Sequence, residues 1–394
     1  MIGALDGIRV LDFGRYIAGP FCAALLADLG ADVIRIEKVG GGEDRFLAPI
    51  GADGDGAFYV QVNRNKRGMT LNPRRPEGQH VLHRLLATTD VVVANLPDAA
   101  LSTLGLDYAA LSAVKPDVIL TSVSAFGPGG PLSHKLGFDA VGQAMSGIMY
   151  LSGRPDEPTK AYAPYVDFTT ALAATVGTLA ALTVRARTGQ GQEVKGSLLA
   201  SALTIANGSL IEQAVVRPDR VATMNRSQTQ APSDAFRTTD GWVLIQCIGQ
   251  PLYTRWAELM GETSWLEDLR FADDRSRGEH GAMISERMGA WCAERTTADA
   301  LADLEAARIP AAPVLSPQQV LDDAHVRAAG FLKQIAFPGA DVAPPVAEPP
   351  FALTSTPAGV RRRAPTLGEH TDAILGDLGY TPPAIAALRD RRII

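Results

Sequence analysis

Residues 164–197, PYVDFTTALAATVGTLAALTVRARTGQGQEVKGS, predict a long buried helix followed by a short strand. Asp167 lies near the start, an apolar run of Ala, Leu, Thr and Val follows, and the run ends with Arg185, Arg187 and Gly189. An acidic residue in the first turn, cations in the last turn and a glycine just past the end are the usual signals of helix boundaries. Residues 192–195 then predict a strand.

Asp167 has two interpretations at this position. The simpler one is a helix N-cap, which helix-boundary patterns alone favour. The second follows from the same geometry, because a helix N-terminus stabilises negative charge and can hold a carboxylate ionised as a nucleophile. The helix by itself does not decide between them.

Composition indicates a globular protein of about two domains. The chain has 394 residues, of which 46% are hydrophobic and 20% charged, and 394 residues exceed one ordinary core. The net charge of −6 provides no general attraction for nucleic acid, so an anionic ligand must be bound by local cations.

Several classes of protein are not expected from the sequence. The chain has no signal-peptide pattern and no uncharged run of about 18 residues, so we expect a cytoplasmic enzyme without a membrane segment. Cys22, Cys247 and Cys292 are too few and too scattered for a disulfide framework or a structural zinc site, and we expect no metal. Walker, zincin and serine-hydrolase motifs are missing from the sequence, and the glycine turn at Gly14 is not a dinucleotide fingerprint.

The first half of the chain alternates predicted strands and helices. Apolar, β-branched runs predict strands at residues 8–13, 32–37, 90–95 and 117–124, and the intervening segments predict helices at residues 20–29, 76–87 and 101–113. This alternation is typical of a mostly parallel sheet covered on both faces, whose ligands bind beyond the carboxyl ends of the strands. Single cations near these ends, such as Lys38, Lys135 and the cluster at residues 63–67, suit a ligand with separated phosphates.

The second half predicts a smaller α/β domain. Residues 235–248 predict a hairpin with Asp240-Gly241 at its turn. The sequence further predicts three helices, a strand, a Pro/Ala-rich connector and two terminal helices, at residues 251–260, 283–294, 298–307, 309–314, 337–357, 367–378 and 382–389.

Six ordered motifs carry a family resemblance. They are GIRVLDFGRYIAGPFCAALLADLGADVIRIEKVGGGEDR, NRNKRGMTLN, VVVANLPDAALSTLGLDY, KLGFDAVGQAMSG, YVDFTTALAATVGTLAAL and TGQGQEV. Together they resemble the class III CoA-transferases, the CaiB–BaiF family, densely over the first half and loosely over the last quarter. The resemblance implies an α/β fold with a Rossmann-like large domain and a smaller α/β domain, in an interlocked homodimer. It also implies that acyl-CoA and a carboxylic acid are substrates, that no prosthetic group is needed, and that Asp167 is the nucleophile.

The resemblance also assigns contacts to CoA, position by position. Ile17 and Ala18 would lie along the pantetheine, and Lys38 would meet the nucleotide phosphates. The adenine would be held by Leu71, Asn72, Pro73 and Arg74, and the rest of the channel would be lined by Asn95, Leu96, Pro97, Lys135, Leu136, Gly137 and Phe138. An arginine of the formyl-CoA transferases is replaced by Thr103, and we expect Arg74 or Arg64 to compensate.

Two departures from the motifs of related enzymes limit which reaction and which substrates we expect. The related racemases carry a histidine base where this chain has Phe138, and a phenyl ring cannot accept a proton. The sequence 224-MNRSQTQAP-232 stands where formyl-CoA transferases have a glycine-rich loop, and Asn225, Arg226 and Gln228 could donate hydrogen bonds there.

We therefore predict a CoA-transferase that works through an aspartyl mixed anhydride and an aspartyl-CoA thioester. The expected domains are residues 1–200 (CoA-binding), 201–233 (linker), 234–330 (small α/β) and 331–394 (a connector and helices returning to the large domain). The alternatives are an acyl-CoA racemase or epimerase using Asp167 with another base, and a non-catalytic CoA-binding protein.

Overall fold

The computed structural model describes residues 3–50 and 54–394 and divides the chain into two compact units. The first contains Tyr162–Asn207 and His325–Ile394 together with the N-terminal segment that ends at Ser146. The second contains Gly147–Ala161 and Gly208–Ala324. The predicted linker, residues 201–233, thus contributes to both units and begins within a long helix.

The secondary structure follows the alternation expected from the sequence. In chain order the described strands are β1 (Arg9–Asp12), β2 (Asp32–Glu37), β3 (Arg67–Thr70), β4 (Val91–Ala94), β5 (Ile119–Ser124), β6 (Gly153–Arg154), β7 (Glu157–Pro158), β8 (Gln192–Ser197), β9 (Ser233–Arg237), β10 (Trp242–Gln246), β11 (Ala311–Pro313), β12 (Leu332–Gln334) and β13 (Pro345–Ala347). The helices are α1 (Ala18–Asp28), α2 (Ala57–Val62), α3 (Pro76–Leu86), α4 (Asp98–Leu104), α5 (Tyr108–Val114), α6 (Asp139–Met145), α7 (Ile148–Leu151), α8 (Tyr165–Thr188), α9 (Leu198–Val215), α10 (Gln250–Met260), α11 (Asp274–Glu279), α12 (Gly281–Ala293), α13 (Thr297–Ala306), α14 (Pro317–Asp322), α15 (Ala324–Ala328), α16 (Thr371–Asp377) and α17 (Pro382–Asp390). Short 3₁₀ helices lie at Glu43–Phe46, Thr263–Leu266 and Leu269–Phe271.

A six-stranded parallel sheet forms the centre of the first unit. Its strand order is β3-β2-β1-β4-β5-β8, so the prediction of a mixed α/β fold with a parallel sheet is confirmed. Alternate strand residues face opposite sides: Val10 and Val91 belong to a core with α1 and α8, while Leu11 and Val92 belong to a core with α3 and the terminal helices. Both faces are therefore covered, as continuous apolar strands require.

Helix α8 has the boundaries that its sequence predicts. It spans 24 residues, with Gly189 in the left-handed conformation just past its end (φ 70°), and it packs against α1 and the sheet. By length and hydropathy alone, α8 and α9 could each span a membrane. Half of the apolar window of α8 is buried within the chain, whereas only 22% of that of α9 is.

The C-terminal segment packs beside β3 at the edge of the sheet. The Gly68 carbonyl accepts a hydrogen bond from the His370 amide (2.8 Å), and the Asn72 amide donates to the Ile393 carbonyl (2.7 Å). Ile393 and Ile394 are buried in the core that contains α3. The predicted helices near residues 367–378 and 382–389 appear as α16 and α17.

The second unit contains the predicted hairpin. Strands β9 and β10 pair antiparallel, and β11 adds to β10 as a third strand. Helices α10, α12 and α13 cover this sheet around the buried Trp256 and Trp291.

Candidate active site

Asp167 lies in the first turn of α8, but it is not the N-cap. The helix begins at Tyr165, the N-cap residue is Pro164, and the carbonyl of Pro164 accepts the first helical hydrogen bond from Phe168 (3.3 Å). Asp167 is therefore the third helical residue, and the N-cap interpretation is wrong. Proline fits this boundary because the amide hydrogen that it lacks would have no partner inside the helix.

The carboxylate of Asp167 is buried without a hydrogen bond. Only 8% of the residue is exposed, and no donor within residues 3–50 and 54–394 reaches its side chain. Burial first, and then the nearby negative charge of Asp139, raise the pKa of Asp167 from 3.8 to about 7. A buried carboxyl with such a pKa is typical of functional sites.

Asp139 fixes the start of α8. Its Oδ1 accepts a hydrogen bond from the Val166 amide (3.2 Å), and its Oδ2 accepts one from Gln143 Nε2 (2.9 Å). It therefore satisfies one of the free amide groups of the first turn directly beside Asp167. No local sequence pattern indicates this contact of Asp139, although the residue directly follows Phe138 in the motif KLGFDAVGQAMSG.

Asp167 faces a cavity of about 670 Å³ at the carboxyl ends of β1, β4 and β5. The cavity brings together most of the residues expected at the pantetheine and channel, namely Ile17, Ala18, Asn95, Leu96, Pro97, Lys135, Leu136, Gly137 and Phe138. Phe138 is 60% exposed on its wall, and Tyr16 packs edge-to-face against it, with 5.2 Å between ring centroids. Phe168, the residue after Asp167, does not line this cavity and packs edge-to-face on Phe21 instead.

The loop after β1 is held by a reciprocal pair of hydrogen bonds. The Arg15 amide donates to Asn95 Oδ1 (2.6 Å), and Asn95 Nδ2 donates back to the Arg15 carbonyl (2.8 Å). Glycine is required at position 14, directly before Arg15, because a Cβ there would clash with Pro20 at 2.7 Å and with Asp12 Oδ1 at 2.8 Å. The loops that follow β1 and β4 are thereby fixed against each other.

A second cavity of about 950 Å³ adjoins the first. It is lined by the remaining predicted contacts, Lys38, Leu71, Asn72, Pro73 and Arg74, and it shares Arg15, Leu96 and Pro97 with the first cavity. All the predicted CoA contacts therefore line two neighbouring cavities, although their roles stay predictions.

Arg64 is not available to a ligand. It is 1% exposed, and its Nη2 lies 2.7 Å from Asp28 Oδ2 at the end of α1. The expectation that Arg64 compensates for Thr103 is therefore wrong: the cluster at residues 63–67 is largely buried, with Lys66 paired to Asp12 (2.7 Å). The Thr103 hydroxyl donates to the Ala99 carbonyl (2.7 Å) within its own helix.

The loop at residues 224–232 belongs to the second unit and is hydrogen-bonded to the residues that flank it. Gln228 Nε2 donates to the Val221 carbonyl (2.7 Å), and the Ser227 amide donates to the Ser233 carbonyl (2.8 Å). The ligand contacts suggested for Asn225, Arg226 and Gln228 stay predictions.

Comparison with known proteins gives one consistent result. Residues 5–371 match the family model described as CoA-transferase family III. The chain is 34% identical to the succinyl-CoA–D-citramalate CoA-transferase of Chloroflexus aurantiacus, covering 99% of this chain and 98% of that protein. It is 31% identical to the succinate–glutarate CoA-transferase of Agrobacterium fabrum (95% of each). A crystal structure of a CAIB/BAIF family protein from Brucella suis superposes with a TM-score of 0.84 at 30% identity, covering 96% of this chain and 100% of that one.

The raised pKa of Asp167 is open to direct measurement. Carbon-13 NMR of protein labelled at aspartate carboxyls should show one resonance titrating near pH 7, because burial and Asp139 both disfavour the charged form. Asp167→Asn should remove this resonance, and Asp139→Asn should shift its midpoint to lower pH. A resonance assigned to Asp167 that titrates near pH 4 would contradict the described environment.

Proposed function

Because the chain belongs to CoA-transferase family III, we propose that it moves CoA from an acyl-CoA thioester to a free carboxylic acid with Asp167 as the nucleophile. The observation that supports this role best is a buried carboxylate without hydrogen bonds that faces a cavity lined by the expected CoA contacts. Such a carboxylate has no structural partner to lose when it attacks.

The proposed reaction consists of two matched halves. Asp167 attacks the thioester carbonyl, the C–S bond breaks, and a mixed anhydride and the CoA thiolate result. The thiolate then attacks the aspartyl carbonyl, releasing the donor acid and leaving an aspartyl-CoA thioester. The acceptor carboxylate attacks that thioester and expels the CoA thiolate, which gives a second mixed anhydride. The thiolate then attacks the acceptor's carbonyl, which forms the acceptor acyl-CoA and releases Asp167 as a carboxylate. No net proton or electron is exchanged, and covalent catalysis conserves the energy of the thioester.

Asp167 must be ionised for the first step. With a pKa of about 7, its carboxylate fraction rises as pH increases through neutrality, so the proposed attack is favoured on the alkaline side. Poor solvation also makes the carboxylate a better nucleophile than one in water, since less hydration must be removed.

The proposed CoA site follows the two cavities. The thiol end would lie between Ile17, Ala18 and Phe138, beside Asp167. The nucleotide end would lie in the second cavity near Lys38 and Leu71–Arg74. Leu136 and Phe138 are 75% and 60% exposed on the cavity wall, and contact with substrate would cover them and exclude water from the anhydride.

We propose succinyl-CoA as donor and a four- or five-carbon dicarboxylic acid as acceptor. The names of the two relatives support this, since one couples succinyl-CoA with D-citramalate and the other couples succinate with glutarate. In this chain His134 and Lys135 line the cavity that contains Asp167, and across the described ranges neither forms an ion pair with a carboxylate. A second carboxylate on the acid would accept hydrogen bonds from these two side chains.

The proposal predicts that Asp167→Asn abolishes transfer while CoA binding survives. Exchange from succinyl-CoA to a panel of dicarboxylic acids, followed by mass spectrometry, should fall by at least about 10³-fold because the nucleophile is lost. The dissociation constant for CoA should stay close to that of the unchanged protein.

Undiminished exchange by Asp167→Asn would reject the assignment of Asp167. Monocarboxylates accepted in preference to dicarboxylates would reject only the substrate assignment. Incorporation of solvent deuterium at the α-carbon of an acyl-CoA, without any acceptor acid, would favour the racemase alternative instead.

We also propose the interlocked homodimer that the resemblance implies, with residues 1–200 and 331–394 in the CoA-binding part and 234–330 in the small domain. Apolar side chains exposed on α8 and α9 support an interface: Val176 is 67% exposed, Ile205 47% and Leu172 39%. Exposed apolar residues gathered on neighbouring helices are typical of association surfaces.

Light scattering after size exclusion should therefore give twice the mass of one chain. Ile205→Glu should weaken this dimer, because association would bury the added charge. Val342→Glu, at an apolar residue 78% exposed outside these helices, is the matched control and should leave the mass unchanged. A monomeric protein at micromolar concentration would contradict the proposal.

A further inference from the structure

The second cavity contains two arginines that no sequence motif assigned to it. Arg391 and Arg392, which follow α17 near the C-terminus, line it together with Arg74 and Arg75 from the segment after β3. Cations more than 300 positions apart in the chain thus line one cavity, which Asp167 does not line.

Most of the other charged groups at this cavity are already paired. Arg35 is buried against Asp44 (2.6 Å), Lys38 pairs with Glu43 (2.5 Å), and Arg391 pairs with Glu77. The lining carboxylates Glu37 and Asp44 are buried and bound to arginines. Within the described ranges, Arg74, Arg75 and Arg392 form no such pair, so their positive charge is available to a ligand.

Arg392 is held beside this cavity by the residues that follow it. Ile393 and Ile394 are buried, and the Ile393 carbonyl accepts the Asn72 amide hydrogen at 2.7 Å. The tail is therefore tied by its backbone to the segment Leu71–Arg74. Because the residues that follow Arg392 are buried and bonded to the segment Leu71–Arg74, little conformational freedom is lost when Arg392 binds an anion.

The backbone of Arg392 is in a conformation that favours glycine. Its φ is 55°, in the left-handed region where a side chain is disfavoured. Glycine is therefore the substitution that removes the guanidinium without adding backbone strain.

We propose that Arg392, with Arg74 and Arg75, binds the phosphates at the nucleotide end of CoA. Arg392 would thereby supply the positive charge that is lost where Thr103 replaces the arginine of the formyl-CoA transferases. This inference rests on the proposed function for the identity of the ligand. Arginine suits the task because its planar guanidinium donates paired hydrogen bonds to phosphate oxygens.

The test uses Arg392→Gly, which removes the cation and relieves the backbone. Calorimetric titration with CoA should show affinity lower by about three- to tenfold, the range for one charge-assisted contact that is partly exposed to solvent. The melting temperature should be unchanged or higher, because glycine adopts φ 55° freely. Raising the salt concentration should weaken CoA binding less in the variant than in the unchanged protein.

Arg389→Ala is the matched control. Arg389 is exposed on α17 and pairs with Asp372 rather than lining the cavity, so its loss should leave CoA affinity unchanged. In transfer assays, Arg392→Gly should raise KM for succinyl-CoA while keeping kcat, and succinyl-pantetheine, which has no phosphate, should be used equally well by both proteins.

Equal CoA affinity of Arg392→Gly and the unchanged protein would overturn the inference and leave the proposed function intact. An equal loss with succinyl-pantetheine would also overturn it, because the effect would then be structural. CoA binding that depends on Arg392 in a protein that transfers nothing would instead uphold this inference and reject the proposed function.

Discussion

The site depends on one unfavourable burial, that of the Asp167 carboxylate in the first turn of α8. A pKa of about 7 in place of 3.8 corresponds to about 4 kcal/mol that disfavours the ionised form. The helix N-terminus offsets only part of this cost, since its effect on a nearby charge is at most about 2 kcal/mol. The Val166 amide in the same turn donates to Asp139, whose negative charge further disfavours ionisation of Asp167. The fold thus keeps this carboxylate buried without a hydrogen bond, at the expense of stability.

Buried ion pairs and hydrogen bonds fix the loops around the site. Two buried arginines pair with buried carboxylates here. Arg35 of β2 pairs with Asp44, and Arg45 pairs with Glu37 at the end of β2 and also donates to the Tyr59 hydroxyl (2.6 Å). Removing one partner of such a buried pair is costly, because an uncompensated charge remains. Together with the Arg15–Asn95 pair, these ion pairs hold the carboxyl ends of β1, β2 and β4 in place. These contacts fix the loops that follow three strands where they line the two cavities.

The sequence predicts the elements whose signals are local. Strands β1, β2, β4 and β5 were recognised as continuous apolar runs, and α8 was recognised from its terminal residues. Strand β3 was missed because RGMT is short and contains both an arginine and a glycine. Helix α9 was missed because its apolar residues show almost no helical periodicity, as expected of a helix that exposes apolar side chains on several faces.

The interactions that the sequence analysis missed join distant residues. Arg64 is neutralised by Asp28, 36 positions away, and no local pattern reveals that pairing. Asp139 meets the Val166 amide across 27 positions, and Arg392 lines the second cavity because the C-terminal segment packs beside β3. The family motifs located Asp167 and the channel, because those residues stand in contiguous segments. The ion pairs that decide which cations are free required the three-dimensional structure.

The proposed covalent role of Asp167 can be tested most directly by trapping. The protein is incubated with succinyl-CoA and hydroxylamine, digested, and mapped by mass spectrometry, with Asp167→Asn as the control. We expect a hydroxamate on the peptide that contains Asp167, because an anhydride or thioester at this carboxyl reacts with hydroxylamine. Full transfer activity with Asp167 unmodified, or a hydroxamate on another carboxylate, would contradict it.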